Sequence, residues 1–391
     1  MTDVVPNTDG DTGLRSPRLI ARVGMLLGLC ITVCFATGLL SHWIQHPPGW
    51  FYWPSRPAWL YQVTQGLHVI TGVTAIPLLL IKLQLVYPRL FVRPLVGSPA
   101  RAVERGSIAV LVSSTIFQLL TGLLNTAQWY PWKFFFTTTH YAMSFVVVAS
   151  VLVHIAVKLP IIQRALRSPL EATDAIDNRS EPAATDNPAS PLRAQDGVSR
   201  RTVFRGTIAV GALAALAFAG QTVPFLRWMA FLAPRSGEGP QGVPINRTAA
   251  AAGVLETAND PDYRLTISSG TVTKELAIDQ LQAMPQHGSE LPIACVEGWS
   301  AQGKWDGVRV RDLVALVDGN RDHDVRFISL EAGLYSVSTL PPNISDDPLS
   351  LIALRLHGEP LSIDHGYPCR LIAPNRPGVL QTKWVTRIEI L

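Results

Sequence analysis

Leu291–Gly307 reads LPIACVEGWSAQGKWDG, with its single cysteine at Cys295. Apolar Leu291, Ile293 and Ala294 bring a short strand up to that thiol, and the polar, glycine-bearing VEGWS segment then turns the backbone away. An ionised thiol at the end of a rigid element is a soft metal ligand. A lone cysteine closing a buried strand is also ordinary packing. The residues themselves leave both readings open.

Around this stretch, Ala233–Leu391 is water-soluble in composition. Tyr263, Leu265 and Ile267 alternate with Arg264, Thr266 and Ser268, and Ile388 and Ile390 alternate with Arg387 and Glu389, which is strand periodicity. Leu281–Met284, Val310–Val317 and Pro348–Leu354 read as short helices between strands. An α+β domain over 246–391 follows, preceded by a Gly/Pro linker over 233–245.

The rest of the chain is different in kind. Of 391 residues, 48% are hydrophobic and 16% charged, too apolar for an ordinary soluble protein. The net charge of +4 comes from Lys and Arg clusters beside apolar runs, not from a basic aromatic patch, which argues against nucleic acid. Four cysteines are too few and too scattered for a disulfide framework. Cys30 and Cys34, one helical turn apart in an apolar run, read as packing.

Arg18–Leu40, Leu60–Tyr87, Gly106–Trp129 and Phe134–Leu159 are each long enough to cross about 30 Å of hydrocarbon as helices. These four define an all-α transmembrane bundle over 18–167, after a polar tail over 1–17 that reads as disordered. A flexible, Ala/Asp/Pro-rich linker over 168–199 leads to a fifth apolar run, Gly206–Leu232, within an anchoring segment over 200–232. Arg15, Arg18 and Arg22, then Arg89, Arg93, Arg101 and Arg105, then Lys158, Arg164 and Arg167, then Arg200, Arg201 and Arg205 all fall on one side of five spans. Positive charge marks that side as cytoplasmic, and Trp43, Trp50, Trp53, Trp59, Trp129, Tyr130 and Trp132 form an aromatic belt on the other. Everything after Leu232 is therefore expected outside the cytoplasm.

Histidines within apolar helices are costly and usually functional. His68 and His140 sit at matched depth on the second and fourth helices, in the outer half. Two imidazoles at such depth would hold a b-type haem through both axial positions; the plainer alternative is that each hydrogen-bonds a neighbouring helix. His154 lies fourteen positions after His140, about 21 Å further along the axis. Lys82 lies at about the depth of His154, and snorkelling to the inner interface explains it better than iron ligation.

Several separated motifs carry a resemblance. CVEGWS, Trp305-Asp306-Gly307, Asp312-Leu313, DHGYPCRLIAP and TKWVTRIEI occur in this order between Tyr263 and Leu391, and together resemble the molybdopterin-binding domain of the sulfite oxidase superfamily, with the catalytic subunit of periplasmic methionine sulfoxide reductases as the nearest pattern. The resemblance implies that Cys295 binds molybdenum and that His365, Arg370 and Lys383 grip the pterin, with Asn375 and Arg376 as further contacts. Trp299, Ser300 and Tyr335 are the expected pocket lining. Sulfite oxidases have an arginine five positions after the cysteine; Ser300 stands there in this chain, which points away from sulfite and toward a neutral S- or N-oxide.

The four-helix region resembles diheme cytochrome b subunits of membrane formate dehydrogenases and hydrogenases. That resemblance implies an outer haem on His68 and His140. Its inner haem would pair His154 with a histidine of the first helix, and Arg18–Gly24 contains none. SRRTVFR at Ser199–Arg205 resembles a twin-arginine export signal, although a positive-inside cluster has the same residues. Ala217-Phe218-Ala219 matches a signal-peptidase site, against which the continuing apolar run argues.

Together these expectations describe a multi-domain membrane protein: a molybdopterin-dependent oxidoreductase passing electrons between quinone, through haem b, and an extracytoplasmic site that acts on a small-molecule substrate. Substrate oxidation with quinone reduction, a sensor or scaffold that keeps the fold without metal, and a Cys295–Cys369 disulfide are the alternatives.

Overall fold

The structure is a computed structural model and describes residues 14–90, 98–171, 198–233, 239–318, 320–333 and 335–391. The expectations placed on residues 1–13, Arg93, 172–197 and 234–238 lie outside these.

Among the described residues, five helices are long and apolar enough to cross a bilayer: α1 (Pro17–Gln45), α2 (Leu60–Leu90), α3 (Pro99–Thr126), α4 (Phe136–Arg167) and α5 (Arg200–Ala219). By that measure the chain is a membrane protein. The α5 helix ends earlier than its composition suggests, at Ala219. At Gly220 the chain reverses: a Cβ there would lie 2.2 Å from the Leu226 carbonyl oxygen, and Pro224–Met229 forms a separate 3₁₀ turn. The expected single apolar run from Gly206 to Leu232 is thus a helix followed by a turn.

The chain divides into two compact units. The first comprises 1–33, 71–122 and 135–215. In it, Leu27 of α1 packs with Ala75, Leu78 and Leu79 of α2, and Leu19 and Val23 with Leu85. Arg22 donates to the Ser168 carbonyl at 2.8 Å, and Lys158 pairs with Glu104 at 2.7 Å.

The second unit comprises 34–70, 123–134 and 216–391. Its α+β part holds two sheets. One has the order β2 (Val272–Leu276), β1 (Leu265–Ser269), β10 (Val385–Ile390), β5 (Val325–Ser329), β6 (Val337–Leu340), with β1 and β10 parallel and the other pairs antiparallel. The other runs β3 (His287–Ala294), β4 (Ser300–Arg309), β7 (Leu351–Leu356), β8 (Glu359–Pro360), with β9 (Arg370–Ile372) also paired to β7. The alternation read in Tyr263–Ser268 becomes β1, where Leu265 and Ile267 are fully buried.

Pro348–Leu354 is a correction. Its apolar run is strand β7, not a helix. Leu351, Ile352 and Ala353 are fully buried between β4 and β9. A strand covered on both faces loses the alternation that would distinguish it from a buried helix. Where β7 bulges at Leu354 against β4, a Cβ on Gly307 would fall 2.1 Å from the Ile352 carbonyl oxygen. Gly307→Ala is therefore expected to destabilise the domain by about 3 kcal/mol, read as a lowered thermal midpoint of the solubilised chain.

The disulfide alternative is overturned, since Cys295 and Cys369 are not bonded to each other and lie in separate cores. Cys369 lies in the core formed around β1, β5 and β10, 3.2 Å from the Tyr263 hydroxyl, and burial pushes its thiol up to about 12. Cys295 lies in the separate core of the β3–β4–β7 sheet.

Candidate active site

Strand β3 delivers Cys295 to the edge of a cleft, and a tight turn follows. The Gly298 amide donates to the Cys295 carbonyl at 3.0 Å, and the Cys295 amide to the Trp299 carbonyl at 2.9 Å. Gly298 has φ +98°, the left-handed region that glycine enters without steric cost. The turn returns the chain into β4 and sets the Trp299 indole, which donates to Glu297 at 3.1 Å, beside the thiol.

The other wall comes from the turn before β9 and the segment before β10. Ser362 caps a 3₁₀ turn that ends on His365, and Gly366 follows at φ +107°. A Cβ on Gly366 would approach the Cβ atoms of Arg370 and Lys383 to 3.0 and 3.1 Å, so the missing side chain is what allows these two cations to converge. Cys295, Trp299, Tyr335, His365, Arg370 and Lys383 all line one cleft. Ser300 begins β4, is buried, and is not among the lining residues.

The electrostatics of the cleft are those of a site built for an anion. Arg370 is buried, donates to the carbonyls of His365 (3.0 Å) and Gln381 (3.3 Å), and lies over the Trp305 ring. Its Nε is buried with no hydrogen-bond partner among the described residues. Burial lowers this guanidinium to about 9. Lys383 donates to the Arg247 and Asp364 carbonyls and lies over Trp384; burial, then the neighbouring Arg370, lowers it to about 7. His365 donates its Nε2 hydrogen to the Pro240 carbonyl at 2.6 Å and is lowered to about 4, chiefly by burial and then by Arg370. Two cations, Arg370 and Lys383, converge beside the neutral His365 imidazole, and for both cations the hydrogen-bond acceptors are backbone carbonyls. The Tyr335 phenol is shifted the opposite way, raised by burial and then by Cys295 and Glu297.

Glu331, Arg247, Gln381 and Thr382 also line the cleft and were not expected there. Thr382 and Gln381 directly precede Lys383, which was the available signal. The Arg247–Glu331 ion pair joins segments too distant in sequence to be read. Asn375 faces elsewhere: its side chain accepts from the Tyr61 amide and donates to the Pro54 carbonyl, each at 2.6 Å.

Among the membrane-helix residues, His68 donates from Nδ1 to the Cys34 carbonyl at 2.9 Å, and Gly38 lies under its ring, where a Cβ would be 2.9 Å from Cε1. His140 Nδ1 lies 3.4 Å from the Thr121 hydroxyl, and Gly122 sits beside its ring. His68 belongs to the second unit, and His140 and His154 to the first. Lys82 reaches toward the Ile20 carbonyl at 3.5 Å, over Gly24.

Residues 252–391 match the family described as oxidoreductase molybdopterin binding domain. That segment is an oxidoreductase domain of the molybdopterin-binding type. The chain is 31% identical over 158 residues to mitochondrial sulfite oxidase of Drosophila melanogaster, covering 34% of this chain and 28% of the relative. It is 30% identical over 130 residues to a protein of Azospira oryzae named provisionally as the protein-methionine-sulfoxide reductase subunit YedZ1, covering 33% and 48%. It is also 30% identical over 115 residues to the uncharacterized oxidoreductase YuiH of Bacillus subtilis, covering 29% and 57%. The chain thus spans less than two thirds of the length of each.

Proposed function

We propose that this chain is a membrane-bound molybdopterin-dependent oxidoreductase that carries electrons from a quinol pool, through haem b, to an extracytoplasmic site reducing a neutral S- or N-oxide. The observation that carries this reading is the convergence of Arg370, Lys383 and His365 on the cleft that Cys295 lines, with the Arg370 Nε buried and unpartnered. A phosphate-bearing, thiolate-rich cofactor fits that donor set: cations for its phosphate, a soft ligand for its metal.

When bound, the molybdenum cofactor supplies two-electron exchange of an oxygen atom with the substrate. Cys295 holds the metal, aimed by β3 and the turn after it. Arg370 and Lys383 bind the phosphate by charge-assisted hydrogen bonds. His365 keeps the Nε2–H tautomer through Pro240, so its other ring nitrogen is an acceptor for the ligand. Trp299 and Tyr335 line the substrate side. The raised phenol keeps Tyr335 protonated, a donor to an oxide oxygen.

His68 and His140 are the proposed haem ligands. In His68 the Nδ1 hydrogen goes to a backbone carbonyl, the arrangement that leaves Nε2 as the metal-binding nitrogen. Without a histidine in the inner half of α1, His154 has no partner of the family type for a second haem. Arg200 and Arg201 open α5 as part of the proposed twin-arginine signal, and 246–391 is the proposed catalytic domain on the extracytoplasmic face.

Lys383 gives the reading a pH signature. Its depressed value means that the cofactor-free site loses this charge as pH rises through about 7. Bound phosphate would hold the proton. Loading of the cofactor should therefore be tightest below pH 7 and weaken by up to about tenfold per pH unit above it, with proton uptake on binding. Titration of cofactor-free protein across pH 6–9 measures this; an affinity flat across that range would remove Lys383 from phosphate binding. The whole function is tested by molybdenum analysis, a reduced-minus-oxidised visible spectrum, and turnover of S- and N-oxides with a quinol donor. Protein without molybdenum would end the proposal; molybdenum without a haem spectrum would end its membrane half.

A further inference from the structure

The turn that follows Cys295 is held by the ends of the long apolar helices. The Val296 carbonyl accepts from Gln65 near the start of α2 at 3.0 Å and from Asn125 in the last turn of α3 at 3.4 Å. The Glu297 carboxylate, whose other oxygen takes the Trp299 indole, accepts from Gln128 just after α3. The Gly298 carbonyl accepts from the Thr222 hydroxyl at 2.8 Å, and the Ser300 amide donates to the Gln221 carbonyl at 2.9 Å, both just beyond α5. Val69 of α2 lies against Gly298 so closely that a Cβ there would come within 2.6 Å of it.

A second turn is gripped in the same way. Besides the two side-chain bonds already described, the Asn375 carbonyl accepts from the Trp53 indole at 2.8 Å, and Asn343 donates to the Trp53 carbonyl at 3.0 Å. Asn375 has φ +57°, a conformation that its side chain's hydrogen bonds help to hold.

We propose that Gln65, Asn125, Gln128 and Thr222 are positioning residues of the metal site, so that the direction of the Cys295 thiol and the Trp299 wall is set by the membrane helices as well as by the catalytic domain. The physical reason is accounting. Among the described residues, the backbone acceptors of Val296 and Gly298 meet side-chain donors from the helix ends, and a buried acceptor stripped of its donor costs enough to move a short turn. Gln65 and Val69 bracket His68 on α2, so the helix that bears the proposed haem ligand touches the turn that bears the proposed molybdenum ligand. The proposal rests on the reading of Cys295 as that ligand.

Thr222→Val keeps the shape and removes the hydroxyl; Thr222→Ser keeps the hydroxyl. Both are made in the full chain in detergent, beside the double variant Gln65→Leu/Asn125→Leu. In cofactor-free protein, amide exchange over 295–300 should rise about five- to tenfold in Thr222→Val and at least as much in the double variant. Exchange over 265–269 and 385–390 should not change, and Thr222→Ser should match the unmodified protein. In loaded protein, the molybdenum(V) electron paramagnetic resonance g-values should shift in Thr222→Val and stay in place in Thr222→Ser. Unchanged exchange and g-values in Thr222→Val would overturn the proposal. Unmodified protein without molybdenum would fail the functional reading instead, and the exchange arm would still decide the positioning. If the double variant unfolds, seen as raised exchange over 265–269, the Thr222 pair decides alone.

Discussion

Replacing Cys295 by serine is expected to abolish turnover while the visible haem spectrum persists. Loss of a residue that merely supports a metal ligand costs roughly ten- to a hundredfold, and loss of the ligand itself should exceed that. Serine fits the space of a residue that is 1% exposed, so the domain should fold. Its harder oxygen is a poor substitute for thiolate on this metal. Turnover assays beside a thermal melt measure both parts. A variant that melts normally and turns over at the original rate would take Cys295 out of the chemistry.

The second large effect belongs to Arg370. Arg370→Met keeps an unbranched chain over Trp305 and deletes the guanidinium, and with it the unpartnered Nε. Two charge-assisted hydrogen bonds to a phosphate are together worth about 3 kcal/mol or more, so cofactor affinity should fall by about a hundredfold or more. The purified variant should carry little molybdenum. Because burial already lowers this guanidinium to about 9, the cofactor-free variant is not expected to be less stable than its parent by the full worth of those bonds. Molybdenum per chain, compared with the thermal midpoint of the cofactor-free forms, separates lost binding from lost folding. Full metal content would show that the anion is held elsewhere.

How much of this was legible before the structure depended on the range of each interaction. Cys295, His365, Arg370 and Lys383 were legible through the family motifs that carry them; of their local geometry only the turn after the strand that bears Cys295 could be read from neighbouring residues, while the capped 3₁₀ turn and the approach of two cations across Gly366 could not. The grip on the Cys295 turn was not legible. Gln65 and Val296 are 231 positions apart, and nothing in either neighbourhood marks them as partners. The misread segments have a different cause. Pro348–Leu354 is apolar on both faces, so its period is invisible, and the end of α5 is set by a backbone reversal at Gly220 inside a run that stays apolar. Composition follows burial; it does not follow the path of the main chain.

The most direct test is X-ray absorption at the molybdenum edge, comparing the purified chain with Cys295→Ser loaded to the same metal content. The unmodified protein should show molybdenum with sulfur neighbours, and the variant one sulfur neighbour fewer, replaced by oxygen. An identical sulfur count in the two, or no molybdenum in protein expressed with ample cofactor supply, would contradict the assignment of Cys295 as the metal ligand.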